Sequence, residues 1–257
     1  MERLHKYIAR CGLASRRQAE EMVKEGKVSV NNRVVTQMGF VIDPDKDAVM
    51  VGGRRVKPKK ALTYLLLYKP AGVVTTCDDP QRRKTVLDYI PGGERLFPVG
   101  RLDYQTEGLV LMTDDGELAN RLTHPKYKIA KTYLVETAGL LTEEKAAILR
   151  GGVALEDGLT QPAKLEAVAL GKESSRFYLT VTEGRNHQVR RMCEAVGLPV
   201  TYLCRTRMGF LDLKGLAPGG YRKLDAREVE RLRHYEAPKA TPSFAKSLHN
   251  RGKNSKI

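Results

Sequence analysis

The sequence predicts an α+β chain in two parts: a small basic N-terminal unit of two short helices with a few strands, and a larger unit dominated by strands. Three observations predict it. Apolar residues near the N-terminus recur at helical spacing, segments after Tyr64 alternate with a period of two, and the basic run "RRVKPKKALT" separates the two regimes. A length of 257 residues suits one large domain or two smaller ones.

Leu4, Ile8 and Cys11, with Tyr7 beside them, follow the spacing of an amphipathic helix that Gly12 ends. Ser15 and Gln18 in "SRRQ" fit a capping box opening a second helix, whose inner stripe is Ala19, Met22 and Val23 and whose C-terminal cap is Gly26. "VSVNNRVV" reads as a hairpin, because Asn31-Asn32 tolerates the positive φ of a tight turn. "AVMVGGRRV" supplies another strand and turn. The first domain is expected to span residues 1–58.

From Tyr64 to about Tyr235 the strands are "YLLLYKP", "GLVLMT", "KTYLVET" and "RFYLTVTEG". In the last, Phe177, Leu179 and Val181 alternate with Tyr178, Thr180 and Thr182, as in a half-buried strand. Helices are expected over Glu117–Leu122, Glu143–Arg150 and His187–Val196, giving a second domain at residues 59–236. Residues 237–257 carry five Lys/Arg and no acid, with few apolar residues, and are expected to form a disordered basic arm.

Charge narrows the function. The chain has 45 Lys+Arg against 30 Asp+Glu, a formal net charge of +15. Such an excess suits a polyanion, nucleic acid above all, or else a solvated cationic face. No apolar run approaches the roughly 20 residues of a membrane span, and the N-terminus lacks a signal-peptide core. The four cysteines form no C-x-x-C pair and the five histidines lack ligand spacing, so a cytoplasmic protein without a metal site is expected.

Two charged constellations stand out. In "PVGRLDYQTEGLVLMT", Arg101-Leu102-Asp103 sits at the mouth of an apolar strand. By itself that suits an ion pair or turn cap as well as catalysis. In "EGRNHQVRRMCEAVGLP", Val189, Met192, Cys193 and Val196 form a buried stripe, so Arg190 and Arg191 project off it, Arg191 suiting solvent as well as a ligand. Asn186 fits an N-cap, leaving Arg185 on the loop between strand and helix.

Residues 3–35, "RLHKYIARCGLASRRQAEEMVKEGKVSVNNRVV", resemble the RNA-binding domain named after a small-subunit ribosomal protein, the S4 type, and the match covers nearly the whole unit. That resemblance implies a helix pair lying along structured RNA, with Arg3, Lys6, Arg10, Arg16 and Arg17 among the contacts. "GRLDYQTEGLVLMTDDGELANRLTHP", "KTYLV" and "EGRNHQVRRM", in that order, resemble the three core motifs of the RsuA/RluB branch of pseudouridine synthases, and "LLLYKPAGVVTT" and "CRTRMGFLDL" agree with its flanks. The resemblance spans about residues 2–233. Gln105, where an acid is common, and Asp114, where Asn is common, depart from the pattern. The implied fold is α+β, a catalytic domain around a long, mainly antiparallel sheet with an RNA-binding cleft.

The resemblance implies isomerisation of uridine to pseudouridine without a cofactor. Asp103 matches the essential carboxylate, which either attacks the ribose or assists loss of uracil through a glycal. Arg185 matches a residue that pairs with it. Tyr133 matches a Tyr packed against the target base and a proton relay, or serves as an ordinary strand aromatic. Leu179 suits either a pocket wall or the core. Arg101 matches the residue that fills the gap left by a flipped uridine, and Arg190 is expected on RNA. Flipping is required because the reacting bond is inaccessible within a stacked helix. The expected partner is ribosomal RNA, 23S rRNA of a large-subunit precursor in preference to 16S rRNA, bound by a monomer without DNA or membrane. The competing reading is a non-catalytic rRNA-binding or ribosome-assembly factor, and a DNA-binding protein is a third.

Overall fold

A computed structural model describes residues 1–93, 95–171 and 173–235. The basic arm expected at 237–257 lies outside them.

The N-terminal unit comprises β1 (Glu2–Arg3), α1 (Leu4–Arg10), α2 (Arg16–Lys24), β2 (Val28–Val30), β3 (Arg33–Val34), β4 (Val41–Ile42), β5 (Val49–Val51) and β6 (Arg54–Arg55). The Ser15–Gln18 capping box forms in both directions and starts α2. Asn31 and Asn32 adopt φ of 51° and 64°, closing the β2–β3 hairpin. Leu4, Tyr7 and Ile8 of α1 meet Ala19 and Val23 of α2 over Val28, Val30 and Val49, one continuous small core. Arg54 and Arg55, read as linker, extend the sheet order β3-β2-β5-β6 instead.

The linker is strapped down. Lys59 reaches Asp114 at 2.9 Å, and the Thr63 amide donates to the same carboxylate at 2.7 Å. The charged Asp114, a departure from the family pattern, thus has a charged partner. Lys6 pairs with Glu117 at 3.3 Å and Arg95 donates to Gln18 at 2.7 Å, so both units touch across this seam.

The larger unit contains β7 (Tyr64–Lys69), β8 (Phe97–Pro98), β9 (Glu107–Thr113), α3 (Gly116–Thr123), β10 (Lys131–Ala138), α4 (Glu143–Gly151), β11 (Ala154–Leu155), β12 (Gly158–Leu159), β13 (Lys164–Leu170), β14 (Ser174–Val181), α5 (Gln188–Ala195), β15 (Val200–Met208), β16 (Leu211–Asp212), β17 (Tyr221–Lys223) and α6 (Ala226–Arg233). Its sheet runs β13-β14-β10-β15-β9-β7-β17, with β16 beside β15 and β8 beside β9. Every pairing is antiparallel except β15 with β9, which spans two registers, Cys204 with Glu107 and Arg205 with Gly108. The mainly antiparallel sheet of an α+β fold that the family resemblance implies is therefore present.

Each half of this sheet has its own helical cover. Phe177, Leu179 and Val181 point into a core with Leu149 of α4 and Met192 and Cys193 of α5. Leu109 and Leu111 pack with Leu118 and Leu122 of α3 and Leu232 of α6, while Val110 and Met112 face the opposite core. β9 is thus buried on both faces, which explains its unbroken apolar run. The three expected helices and four expected strands are all present. α6, β13 and β15 were not anticipated, because charged residues interrupt their apolar spacing, Arg in α6 and β15 and Glu166 in β13.

Candidate active site

The site lies where the two halves of the sheet meet. β8 delivers the chain to β9 through Val99, which is buried and donates to Leu111 O at 2.7 Å. Gly100, at φ 74°, then turns the backbone outward so that Arg101 is exposed. Leu102 returns inward as a buried plug. Its amide donates to Thr75 Oγ1 at 3.2 Å, and that hydroxyl donates back to Leu102 O at 2.8 Å. Asp103 follows, its side chain one-third exposed, and its carbonyl accepts the Thr106 amide at 3.0 Å to close the turn.

A buried lysine secures the far side of this turn. Lys69, at the end of β7, is fully buried, and its ammonium donates to the carbonyls of Pro70 (2.8 Å), Thr106 (2.8 Å) and Tyr104 (3.4 Å). Burial pushes its pKa down to about 8, opposed by the negative charges of Glu107 and Asp103. The Arg-Leu-Asp turn is therefore pinned from one side by a hydroxyl and from the other by a cation.

Two adjoining cavities open on Asp103. One, about 470 Å³, is bordered by Thr75, Arg101, Asp103, Gln105, His187 and Arg190. The other, about 310 Å³, is bordered by Asp103, Thr106, Lys131, Tyr133, Arg185 and Arg205 among others. Asp103 is the carboxylate common to both. Glu183, which also borders the second, is taken up by the Gln188 amide at 2.7 Å, the Gln161 N–H at 3.1 Å and Arg185 at 3.4 Å.

The structure brings Asp103, Tyr133 and Arg185 to one cavity, but it does not pair Arg185 with Asp103. Arg185 instead donates to the carbonyls of Gly158 (2.8 Å), Leu159 (2.6 Å) and Asp157 (3.2 Å), and to the carboxylates of Asp157 and Glu183, both at 3.4 Å. The β11–β12 hairpin thus holds that guanidinium, and Arg191 pairs with the same Asp157. The basic side chain beside Asp103 is His187, with Nε2 3.6 Å from Oδ1. His187 is also the residue at the N-cap of α5, with φ 49° and no capping side chain, so Asn186 does not cap the helix. The Gln188 side chain does related work, accepting the Arg185 amide at 3.0 Å.

Tyr133 is half-buried in the middle of β10, opposite Leu179 on one side and Arg205 on the other. Leu179 lies in the core and borders neither cavity. Arg190 borders the larger cavity and touches Val200 O at 3.4 Å.

On the N-terminal unit, Arg10 is paired with Glu2 at 2.8 Å, Lys6 with Glu117, and Arg3 touches Gly39 O at 3.4 Å. Arg16 and Arg17 are exposed and have no ion-pair partner among the described residues.

Sequence reasoning did not single out Lys69, Thr75, Lys131, His187 or Arg205 as site residues. Lys69 carried a signal, a charge closing an apolar strand. Thr75 carried none, because its role rests on a partner 27 positions away.

Known proteins resemble this chain along most of its length. A family model described as RNA pseudouridylate synthase matches residues 63–195, and one described as S4 domain matches residues 2–47. The chain is 48% identical over 236 residues to the ribosomal large subunit pseudouridine synthase B of Bacillus subtilis (strain 168), covering 91% of this chain and 96% of that protein. It is 43% identical to the Vibrio cholerae protein of the same name, covering 90% of this chain and 74% of that one. A solved structure described as a pseudouridylate synthase superposes with a TM-score of 0.65 at 34% identity, covering 90% of this chain and all of that one. A pinned Asp-bearing turn in a mainly antiparallel sheet is thus accompanied by 48% identity over 91% of the chain, and the protein belongs to the RNA pseudouridylate synthase family, with an S4 domain at its N-terminus.

Proposed function

We propose that this pseudouridine synthase acts on 23S rRNA of the large ribosomal subunit in the cytoplasm, with Asp103 as its catalytic carboxylate. The observation that carries the role of Asp103 is its position, a partly exposed acid shared by both cavities and held at the end of a turn clamped by Thr75 and Lys69. An acid in a cleft lined by Arg101, Arg185 and Arg190 opposes phosphate binding, so a protein that only grips RNA gains nothing from it. The large-subunit target is supported by the names of the Bacillus and Vibrio relatives.

Residues 1–58 grip structured RNA, with Arg16 and Arg17 uncommitted to protein partners among the described residues, and residues 59–236 carry out the reaction. The target uridine leaves its stack and enters beside Asp103, while Arg101 on the exposed rim fills the vacated space. Tyr133 packs against the base. The carboxylate attacks C1′ or assists loss of uracil through a glycal; in either route the bond from N1 to C1′ breaks and carbon 5 takes its place.

The test is release of tritium from carbon 5 of labelled uridine in 23S and 16S rRNA, for wild type and Asp103→Asn. Asn retains size and hydrogen bonding without charge. Even a fully charged contact this exposed would contribute only about 0–1 kcal/mol, so the variant should fold and bind RNA while turnover falls below detection. Tritium release should come from 23S rRNA alone. Appreciable turnover by the folded variant refutes the role of Asp103, and release confined to 16S rRNA refutes the target.

A further inference from the structure

We infer that Arg205 and Thr106 form a receptor for a carbonyl oxygen of the flipped uracil, on the floor of the smaller cavity. The inference rests on the reading that this cavity receives the target uridine.

Two buried polar atoms carry it. Arg205, in the middle of β15, is 3% exposed; its Nε donates to Leu109 O at 2.8 Å, while its Nη2 is buried without a partner among the described residues. Thr106 is 1% exposed, and its Oγ1 is likewise buried without a partner among the described residues. Both residues border the same cavity as Asp103 and Tyr133. Buried donors are nearly always satisfied, and both residues border one cavity, so an acceptor that enters it is the partner assigned to them.

The surrounding charge names the acceptor. Lys131 borders the cavity two residues before Tyr133, with Ile129 O at 3.1 Å as its hydrogen-bond partner. Its pKa is pushed down to about 8, first by burial and then by the positive charge of Arg205. Two like charges confined together favour an oxygen that bears negative charge. A phosphate is excluded by connectivity. With ribose C1′ at Asp103, the base projects deeper into the cavity and the phosphates stay outside at the rim.

The reaction gives that oxygen its charge. When N1 separates from C1′, the bonding pair remains on the ring and spreads to the two carbonyl oxygens. The ring then turns, carbon 5 uses a pair to bond C1′, its proton leaves, and N1 takes up a proton, so the pair and proton counts close. Turning about the axis through N3 and carbon 6 exchanges N1 with carbon 5 and O2 with O4. A guanidinium held still by Leu109 O therefore meets a carbonyl oxygen before and after the turn. It bonds most strongly to the detached, anionic ring, the condition for accelerating the chemical step.

Thr106→Val is the first test. The Thr106 hydroxyl has no partner to lose among the described residues, so a residue serving only the fold should keep its thermal midpoint and its activity. The inference expects an unchanged or raised midpoint, RNA affinity within twofold, and a single-turnover rate lower by at least tenfold. The second test compares Arg205→Lys with wild type on RNA fragments whose target is uridine, 2-thiouridine or 4-thiouridine. Lys keeps charge and bulk without the Nη2 donor. The ratio of uridine to thiouridine rates should differ at least fivefold between the two proteins for one of the thio positions. Full activity of Thr106→Val, or identical ratios for both thio positions, overturns the inference. An inactive Asp103→Asn beside either result leaves the reading of the cavity standing and removes only the oxygen receptor.

Discussion

Thr75→Val tests whether the Asp-bearing turn is held by its tertiary clamp. Thr75 is 5% exposed and closes two hydrogen bonds on one buried residue, accepting from the Leu102 amide at 3.2 Å and donating to the Leu102 carbonyl at 2.8 Å. Valine matches the volume of threonine but can make neither bond. Each buried polar group left unpaired costs about 1–3 kcal/mol. The two groups lie beside an open cavity that admits water, so the total belongs at the lower end, about 2 kcal/mol. The larger effect is on rate. Asp103 is the next residue, and a misplacement of about 1 Å costs on the order of 10²-fold. Urea denaturation measures the first quantity, and single-turnover tritium release from an rRNA fragment the second. Thr75→Val should lose about 2 kcal/mol and about 10²-fold in rate while binding RNA normally, and Thr75→Ser should retain most of both. A folded Thr75→Val enzyme within threefold of the wild-type rate refutes the clamp.

Gly108→Ala should cost more than about 3 kcal/mol, because Gly108 has φ 114° and a Cβ there would lie 2.3 Å from Arg205 O in the two-register junction of the sheet; urea denaturation reads the loss, and a change under 1 kcal/mol contradicts it. Lys69 provides a pH test. Its native pKa of about 8 lies below the ordinary 10.5, so between those values the unfolded chain binds the proton that the native state has released, and stability rises with pH. The stability difference between wild type and Lys69→Met should therefore grow from pH 8 to pH 10.5, and a flat or falling difference removes the desolvated cation from the account. Deleting residues 1–58 should leave the larger unit folded, since its sheet takes no strand from them, but should weaken rRNA binding and flatten its dependence on log salt. An unchanged salt slope in a filter-binding titration would show that the N-terminal unit does not grip phosphate.

Local features were legible from the sequence because their physics is local. The Ser15–Gln18 capping box, the Asn31-Asn32 hairpin and the alternation of Phe177, Leu179 and Val181 depend on residues within a few positions of one another. Motif order likewise pointed to Asp103, Tyr133 and Arg185, and the fold gathers them at one cavity. Which charges meet was a tertiary decision. Arg185 is drawn to the hairpin at 157–159 because several carbonyl oxygens there satisfy its fork, and His187 takes the place beside Asp103. Lys69 and Arg205 look like interruptions in strands until distant carbonyls, those of Thr106 and Leu109, appear above them. Hydrophobic period and capping are written along the chain, whereas a buried cation or hydroxyl is determined by what the folded sheet sets against it.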